Sequence, residues 1–269
     1  MDILGISEPV IRLFVFGIIF CALALFELWS PRLERPEFEG AFKARRWLTN
    51  VSIVILSSLA LRVVFPLAAV GTALWASRSG YGILPWLGVN PVLAGIIAFI
   101  LLDFAIWFEH LLSHKVPLFW RIHRMHHADT GFDVTTALRF HPIEIVLSML
   151  WKAAIIVALG APPVAVLIFE IVLNGSSMFN HANLKLPDAV DRVLRLLIVT
   201  PDMHRVHHSI EPVETDSNYG FNFAFWDRLF GTYRREPAKG QIGIEIGQKD
   251  WRDSRPAQIL WSLRLPFIR

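Results

Sequence analysis

The sequence contains little cysteine and little net charge. Cys21 is the one cysteine among 269 residues, which excludes an internal disulfide and a zinc site closed by thiolates. Its place in an apolar run predicts a small core residue. Lysine and arginine number 26 and acidic residues 23, so the formal charge is +3, too small to indicate a nucleic-acid partner. The motifs H-E-x-x-H and G-x-G-x-x-G are absent, so nothing indicates a zinc protease or a bound dinucleotide.

Hydrophobic residues, by contrast, make up 54% of the chain, and the mean hydropathy of +0.47 exceeds that of a typical soluble domain. Five runs are apolar enough to predict membrane helices; they span residues 10–29, 51–76, 91–109, 143–159 and 164–180. The last two flank Ala161-Pro162-Pro163, which predicts a helical hairpin that does not cross the membrane fully. The predicted fold is therefore all-α, an integral membrane helical bundle.

Basic residues are distributed unevenly between the predicted loops. Five lie in the loop at 30–48: Arg32, Arg35, Lys43, Arg45 and Arg46. The loop at 77–90 contains only Arg78. By the positive-inside rule the first loop is cytoplasmic, and counting spans from it places residues 110–142 and the chain from 181 onward on the same side. We expect a multi-pass membrane protein with its polar chemistry at the cytoplasmic face.

The chain divides into three predicted parts. Residues 1–90 are N-terminal transmembrane anchor helices, and residues 91–234 hold the polar chemistry. Residues 235–269 begin as a polar loop and end in a segment that mixes aromatic and arginine residues. Such a segment is typical of a helix at the membrane interface; a helix docked on the preceding part is the open alternative.

Histidines are concentrated in one stretch of the chain. All ten lie between residues 110 and 208: His110, His114, His123, His126, His127, His141, His181, His204, His207 and His208. The pentamer H-R-x-H-H occurs twice, at 123–127 and 204–208. Spacings of three and four residues place rings on one face of a helix. The eight clustered imidazoles exceed what one ion uses. We therefore predict a histidine-rich helical cap that holds two metal ions. Imidazole suits iron, copper, zinc and nickel.

Three charged residues in the predicted spans are candidates for further roles. Asp103 lies seven residues before His110, on the same helix face. A carboxylate inside a span is costly and usually functional, so we predict that Asp103 accepts a ring N–H from a ligand histidine; helix packing is the alternative. Lys152 and Glu170 lie at similar distances from the proline turn, and we expect them to form an ion pair.

The histidine pattern, H-x3-H at 110–114 and H-x2-H-H at 123–127 and 204–208, resembles that of the fatty acid hydroxylase/sterol desaturase superfamily of integral membrane di-iron oxygenases. Four other segments are similar to that superfamily: R-F-H-P-I-E at 139–144, F-N-H-A-N at 179–183, N-Y-G-F-N at 218–222 and W-D-R-L-F-G-T-Y at 226–233. The resemblance covers residues 95–234 and looks most like bacterial members near the alkylglycerol monooxygenase and sterol desaturase branches. It implies that residues 91–234 are a catalytic domain.

The resemblance implies nine metal ligands: His110, His114, His123, His126, His127, His181, His204, His207 and His208. His141 is implied either as a further ligand or as a helix cap or partner of a ligand. Some superfamily members have two histidines four residues apart where this chain has Ser177 and His181. That departure leaves one coordination position to water, to His141 or to nothing.

The activity implied is that of an oxidoreductase with two iron ions, replaceable by zinc on overexpression, and O2 as co-substrate. It would hydroxylate or desaturate an unactivated C–H bond of a membrane lipid such as a fatty acyl chain, sterol or alkylglycerol. Because the chain has no flavin or cytochrome motif, electrons are expected from a separate ferredoxin, cytochrome b5-like protein or reductase. Arg121, Arg124 and Arg205 are expected to be exposed and to contact this carrier or lipid headgroups. The implied location is a bacterial inner membrane.

Two other classes of protein stay open at this point. A membrane cytochrome b uses histidines from different spans as haem ligands, whereas the histidines here cluster in short boxes. A histidine-rich metal transporter needs polar residues along several spans, and these spans contain few. No feature of the sequence indicates the oligomeric state.

Overall fold

The computed structural model describes residues 2–3, 5–34 and 40–268, so Arg35 of the basic loop lies outside the described residues. Two strands, β1 (Asp2–Ile3) and β2 (Ile6–Ser7), pair antiparallel. The helices of the described chain are α1 (Glu8–Trp29), α2 (Gly40–Val64), α3 (Ala68–Arg78), α4 (Ile83–Trp86), α5 (Pro91–Lys115), α6 (Pro117–His127), α7 (Pro142–Leu159), α8 (Pro163–His181), α9 (Asp188–Leu194), α10 (Pro201–His207), α11 (Pro212–Thr215), α12 (Phe225–Leu229), α13 (Gly240–Gly243) and α14 (Ile259–Arg264). Short 3-10 helices lie at Val134–Leu138, Arg255–Ala257 and Leu265–Phe267.

Five stretches of the described chain are helical, long and apolar enough to cross a membrane: α1, the stretch from α2 to α4, α5, α7 and α8. Large side chains on their outer faces, such as Phe14 and Val92, are 68% and 75% exposed. Small residues such as Ala73 and Ala98 are fully buried between helices. A water-soluble protein buries its large apolar side chains, whereas small residues at helix contacts are typical of bundles in lipid. The predicted all-α membrane bundle is confirmed.

The bundle has two different ends. At one end, the last turns of α5 and α8 and the first turn of α7 meet the histidine boxes. Glu27 in the last turn of α1 reaches the same end, where its Oε1 accepts hydrogen bonds from the backbone N–H groups of Val134 (2.7 Å) and Asn183 (2.6 Å). Both H-R-x-H-H pentamers therefore lie at one end of the bundle. We call it the histidine end.

The opposite end is closed by the turn between α7 and α8. Helix α7 ends at Leu159 and is followed by Gly160, whose φ of 65° favours glycine. A Cβ on Gly160 would lie 2.6 Å from the carbonyl oxygen of Tyr81, so the turn packs tightly against the chain that leads into α4. Helices α7 and α8 have 18 and 19 residues, near the lower limit for a span, and the incomplete crossing of this hairpin stays a prediction.

The expected ion pair inside the hairpin is confirmed. Lys152 of α7 donates from Nζ to Oε1 of Glu170 on α8 over 2.7 Å. Arg12 of α1 donates from Nη2 to the second oxygen, Oε2, of Glu170 over 3.1 Å. The sequence predicted the pair but not the third member, because nothing in the sequence relates the depth of α1 to that of the hairpin.

The second apolar run, expected at 51–76, is not one helix. Helix α2 ends at Val64, Pro66 follows, and α3 begins at Ala68, because proline lacks the N–H that a continuing helix needs. Helix α2 also begins at Gly40, so much of the expected loop at 30–48 is helical. Arg46, which was expected in that loop, is buried and donates to Asp129 (2.6 Å) and Asp133 (2.5 Å). Basic residues near a span therefore did not all mark an exposed loop.

The C-terminal segment docks on α6, as one of its two expected roles requires, and its place at the membrane interface stays a prediction. Arg124 donates from Nη2 to the carbonyl oxygens of Leu265 (2.7 Å) and Ile268 (2.5 Å). Arg121 donates from Nε to the carbonyl oxygen of Pro266 over 3.2 Å. Cys21 is exposed on α1, so its expected place in a core was wrong: on a helix of a membrane bundle, an apolar residue is as stable facing lipid as facing protein. The division of the chain at residues 90 and 234 stays a prediction.

Candidate metal centre

Two short helices present the repeated pentamers. Helices α6 and α10 each have a proline in the first turn and end at the last histidines of a pentamer. Proline suits that position because the first N–H groups of a helix have no intrahelical partner. The helices lie at the histidine end, where α5 contributes His110 and His114 and α8 ends at His181. Except for His114, which lies at intermediate exposure, the nine predicted ligands are buried.

The structure brings the nine histidines together in two groups, within each of which the ligand atoms lie within 4.8 Å of one another. The five-histidine group consists of His110, His114, His123, His127 and His207. The four-histidine group consists of His126, His181, His204 and His208. Among the described residues, these are the groups of three or more histidine, cysteine or acidic side chains that could hold a metal ion.

Each pentamer divides its histidines between the two groups. In the first pentamer the outer pair, His123 and His127, belongs to the five-histidine group and His126 to the other. The second pentamer does the reverse, because its outer pair belongs to the four-histidine group and His207 to the five-histidine group. Residues four apart share a helix face, so the outer pair converges on one point while the middle histidine is directed to a second. The repeat therefore serves two adjacent sites.

The distances between ring nitrogens suit metal ions. In the four-histidine group, three Nε2 atoms lie 3.1–3.2 Å from Nε2 of His181; they belong to His126, His204 and His208. In the five-histidine group, Nε2 of His110 and Nε2 of His127 each lie 3.2 Å from Nε2 of His123. Two nitrogens bound to one ion at about 2.0–2.1 Å lie about 3.0–3.4 Å apart. Both ring nitrogens of His114 and Nε2 of His207 are buried without a hydrogen-bond partner, so the residues fit a bound ion.

Backbone carbonyls orient three of the rings. Nδ1 of His110 lies 2.7 Å from the carbonyl oxygen of Tyr219, Nδ1 of His207 lies 2.7 Å from that of Ser217, and Nδ1 of His181 lies 2.7 Å from that of Ser177. A carbonyl accepts only, so each Nδ1 carries the proton, and Nε2 keeps its lone pair for a metal. The motif N-Y-G-F-N thus contributes to the site through its backbone.

Glu144 orients a fourth ring and was missed from the sequence. Its Oε1 lies 2.5 Å from Nδ1 of His123, the geometry in which a carboxylate fixes the tautomer of a ligand histidine. Glu144 belongs to the R-F-H-P-I-E segment and sits in the first turn of α7. The sequence feature that could have pointed to Glu144 is a carboxylate in the first turn of an apolar helix, close to the histidine boxes. Its distance in sequence from His123, 21 residues, concealed the contact.

Asp103, predicted for this role, has a different one. Its Oδ2 accepts from Nε1 of Trp226 over 2.8 Å, and no histidine ring nitrogen bonds to it among the described residues. Asp103 and His110 share a face of α5 but are two turns, about 10 Å, apart along the axis. Asp227 pairs in the same way with Trp107, whose Nε1 lies 3.1 Å from Oδ1. Two Trp–Asp pairs therefore fasten α12 to α5.

His141 belongs to neither group. Its Nδ1 accepts from the backbone N–H of Ile143 over 3.1 Å, and its Nε2 lies 3.2 Å from the carbonyl oxygen of Leu263. Of the expected roles, the structure shows the helix cap, at the start of α7. Both nitrogens are engaged, so His141 is not placed to fill the position left by Ser177.

Burial keeps the rings outside the spans neutral. The pKa values of His126, His127, His204 and His208 are lowered well below the usual range, first because burial disfavours the charged ring and then because neighbouring imidazoles repel a further charge. Burial also lowers the pKa of His207, to about 3. A metal binds the neutral ring, so this pocket favours the ligand form at neutral pH.

All three arginines expected to be exposed have partners within the protein. Arg205 is completely buried and forms an ion pair with Asp202, so its expected contact with a carrier or headgroup was wrong. The polar half of α10 packs into the protein, where Asp202 and Gln241 accept hydrogen bonds from the guanidinium. Arg124 contacts the C-terminal segment, as described above, while Arg121 is exposed on α6.

Comparisons with known proteins match the part of the chain that carries the histidine boxes. The sequence model named fatty acid hydroxylase matches residues 95–232. The chain is 30% identical to the ornithine lipid hydroxylase of Rhizobium tropici over 57% of its length and 46% of the relative's. It is 31% identical to the alkylglycerol monooxygenase of Xenopus tropicalis over 55% of its length and 32% of the relative's.

Another relative aligns over most of both chains. A cholesterol 25-hydroxylase-like protein of Danio rerio is 29% identical over 85% of this chain and 91% of its own. By contrast, the chain spans less than half the length of the ornithine lipid hydroxylase and of the alkylglycerol monooxygenase. No solved structure matches the chain significantly. The family match covers half of the chain and contains every box histidine, and this protein belongs to the fatty acid hydroxylase family.

Proposed function

We propose that this protein is a membrane-bound hydroxylase that uses O2 and external electrons to convert a C–H bond of a lipid into an alcohol. The observation that carries the proposal is the pair of adjacent imidazole groups at the histidine end of an apolar bundle. The names of the relatives, which are lipid and sterol hydroxylases and alkylglycerol monooxygenases, support a lipid substrate.

The nine histidines are proposed to hold two iron ions, one in each group. Bound iron would supply the activation of O2. Donor chemistry supports iron, because imidazole suits it, but the same rings also accept zinc. Glu144 and the carbonyls of Ser177, Ser217 and Tyr219 would hold the rings in place. These contacts fix the ligand geometry before a metal binds, which reduces the cost of binding.

The overall reaction consumes one O2, two electrons and two protons for each alcohol, and it releases one water. The C–H bond is oxidised and the electron carrier supplies the reducing equivalents. We propose a separate carrier protein, such as a ferredoxin, cytochrome b5-like protein or reductase. We also propose that the histidine end faces the cytoplasm of a bacterial cell, which the basic residues near the start of α2 support.

Metal analysis and isotope labelling test the proposal together. Protein expressed with iron and purified in detergent should contain about two iron ions per chain. Incubation with membrane lipid extract, isotopically labelled O2 and a reconstituted reductase should place one labelled oxygen atom in a lipid product. His126→Ala and His207→Ala each remove a ligand from a different group and should abolish the product.

The same preparation can contradict the proposal. Folded protein that contains no metal, or that shows a haem absorption band, would overturn the di-iron site. Full iron occupancy with no labelled lipid, in the presence of an active reductase, would overturn lipid hydroxylation. Lys185→Met changes an exposed residue away from the site and serves as the control, with unchanged metal content and product.

A further inference from the structure

A cavity of about 260 Å³ leads from the five-histidine group into the membrane bundle. Its wall at the histidine end includes His110, His123 and Phe221. Its inner wall, between α1, α7 and α8, includes Arg12, Lys152 and Glu170. The cavity thus connects the candidate metal centre with a group of charged residues deep in the bundle.

One face of α7 lines the cavity with polar side chains. Glu144, Ser148 and Lys152 follow one another at intervals of four residues and all face the cavity, as residues one helical turn apart do. Ser148 donates to Oε2 of Glu109 on α5 over 3.1 Å. Glu144 contacts His123, so it marks the end of the face at the metal centre. Lys152 lies eight residues farther, about 12 Å along the helix axis.

Lys152 keeps hydrogen-bonding capacity that its protein partner does not use. An ammonium group has three donors, and Nζ of Lys152 makes one hydrogen bond in the described chain, to Oε1 of Glu170. Both oxygens of Glu170 are engaged, because the second accepts from Arg12. Lys152 is nine-tenths buried, with 10% of its side chain exposed. Its remaining donors are thus available to a molecule in the cavity.

A purely structural role explains less of this arrangement. Charges inside a membrane bundle are expensive and usually mark a path for a substrate or ion. Packed apolar residues would join α7 to α8 as effectively as an ion pair does, and at a lower cost. Such a pair also has no need to line a cavity that ends at His110 and His123.

We propose that Lys152 binds an oxygen atom of the lipid substrate and thereby positions a carbon of its chain at the metal centre. The inference rests on the proposed function for the identity of the centre. The substrate class is an amphiphile with a hydrogen-bond acceptor, such as a hydroxyl, ester or amide oxygen. A span of about 12 Å, set by eight helical residues, corresponds to about ten carbons between that oxygen and the oxidised carbon.

Matched probe molecules test the binding site without the reaction. n-Dodecanol presents an oxygen at the end of an alkyl chain, and n-chlorododecane has the same chain with a poor acceptor. With metal-loaded protein in detergent, saturating dodecanol should raise Tm by about 2–4 °C more than chlorododecane does. The double variant Lys152→Met/Glu170→Gln should give equal shifts with the two probes. It removes both members of the ion pair, and Arg12 retains Glu8 at 3.1 Å.

Two further variants separate binding from folding. Lys152→Arg keeps a donor and should retain the preference for dodecanol, and Lys185→Met should behave as the wild type. Equal Tm shifts in the wild type, or a preference that survives in the double variant, would overturn the role of Lys152. Labelled product formed without such a preference would leave the hydroxylase proposal standing. A preference without product would leave the binding site standing and remove the proposed function.

Discussion

The two histidine groups are built from the same pentamer yet differ by one ligand. Both draw on α6 and α10, and each takes an outer pair from one pentamer and the middle histidine from the other. The difference lies in the third helix. Helix α5 provides His110 and His114, one turn apart, whereas α8 provides His181 alone and has Ser177 one turn earlier. The asymmetry of the centre therefore comes from a single position on one helix.

This difference predicts different chemistry at the ion that each group is proposed to hold. An octahedral ion bound by five imidazoles keeps one further position, and one bound by four imidazoles keeps two. Ser177 also lines the cavity that reaches His110 and His123. We therefore expect ligands that do not come from the protein, such as water or O2, to bind more readily at the four-histidine group.

Removal of one ligand from each group gives the largest expected contrast. His208→Ala leaves three imidazoles in its group, and His127→Ala leaves four in the other. We expect iron content to fall from about two ions to about one in His208→Ala and to fall less in His127→Ala, because three imidazoles bind more weakly than four. Plasma mass spectrometry on detergent-purified protein measures this. Equal loss in both variants would show that the two groups load as one unit.

Substitution of Ser177 by histidine should reduce the contrast. Ser177→His would place a fifth ring one turn before His181, on the same helix face. Iron should then resist a chelator better, with about tenfold slower loss from the four-histidine group, while product formation falls because a ligand position is filled. Ser176→His, one residue away on α8 and off that face, is the matched control. Identical chelator kinetics in the two variants would count against the assigned geometry.

Loss of the carboxylate at His123 should have a smaller effect, confined to one group. Glu144→Gln keeps the size of the side chain but removes the charge that holds the imidazole ring. We expect about a 10–100-fold loss of metal affinity in the five-histidine group. Asp103→Asn is the comparison: it should leave metal content unchanged and lower Tm instead, because it weakens the contact with Trp226. Reduced metal content in Asp103→Asn would restore the role first predicted for it.

The sequence alone predicted what depends on helical periodicity and on composition. The spacing of the boxes predicted that histidines four apart share a face, and the apolar runs predicted the bundle. The Lys152–Glu170 pair was also predictable, since the proline turn fixes the register of a short hairpin. The assignment of each histidine to one of the two groups was not, because it depends on how α6 and α10 are rotated against each other.

Contacts between distant segments account for the wrong predictions. Asp103 lies on the expected face of α5. Its axial distance of about 10 Å from His110 followed from the sequence and was overlooked, whereas the approach of Trp226 became clear only in three dimensions. Arg205 appeared exposed because the packing partner of α10, at Gln241, lies in a segment without periodic pattern. Glu144 was overlooked because the loop from α6 to α7 brings it back to His123.

The division of each His-His dipeptide between the two groups has a consequence for how the ions are spaced. His126 and His127, like His207 and His208, are joined by one peptide bond, which holds neighbouring Cα atoms about 3.8 Å apart. The distance between the two proposed metal positions is therefore restricted by the backbone at two places, in addition to the packing of the helices that supply the other ligands. We therefore expect two bound ions to keep a nearly constant separation when the surrounding helices move.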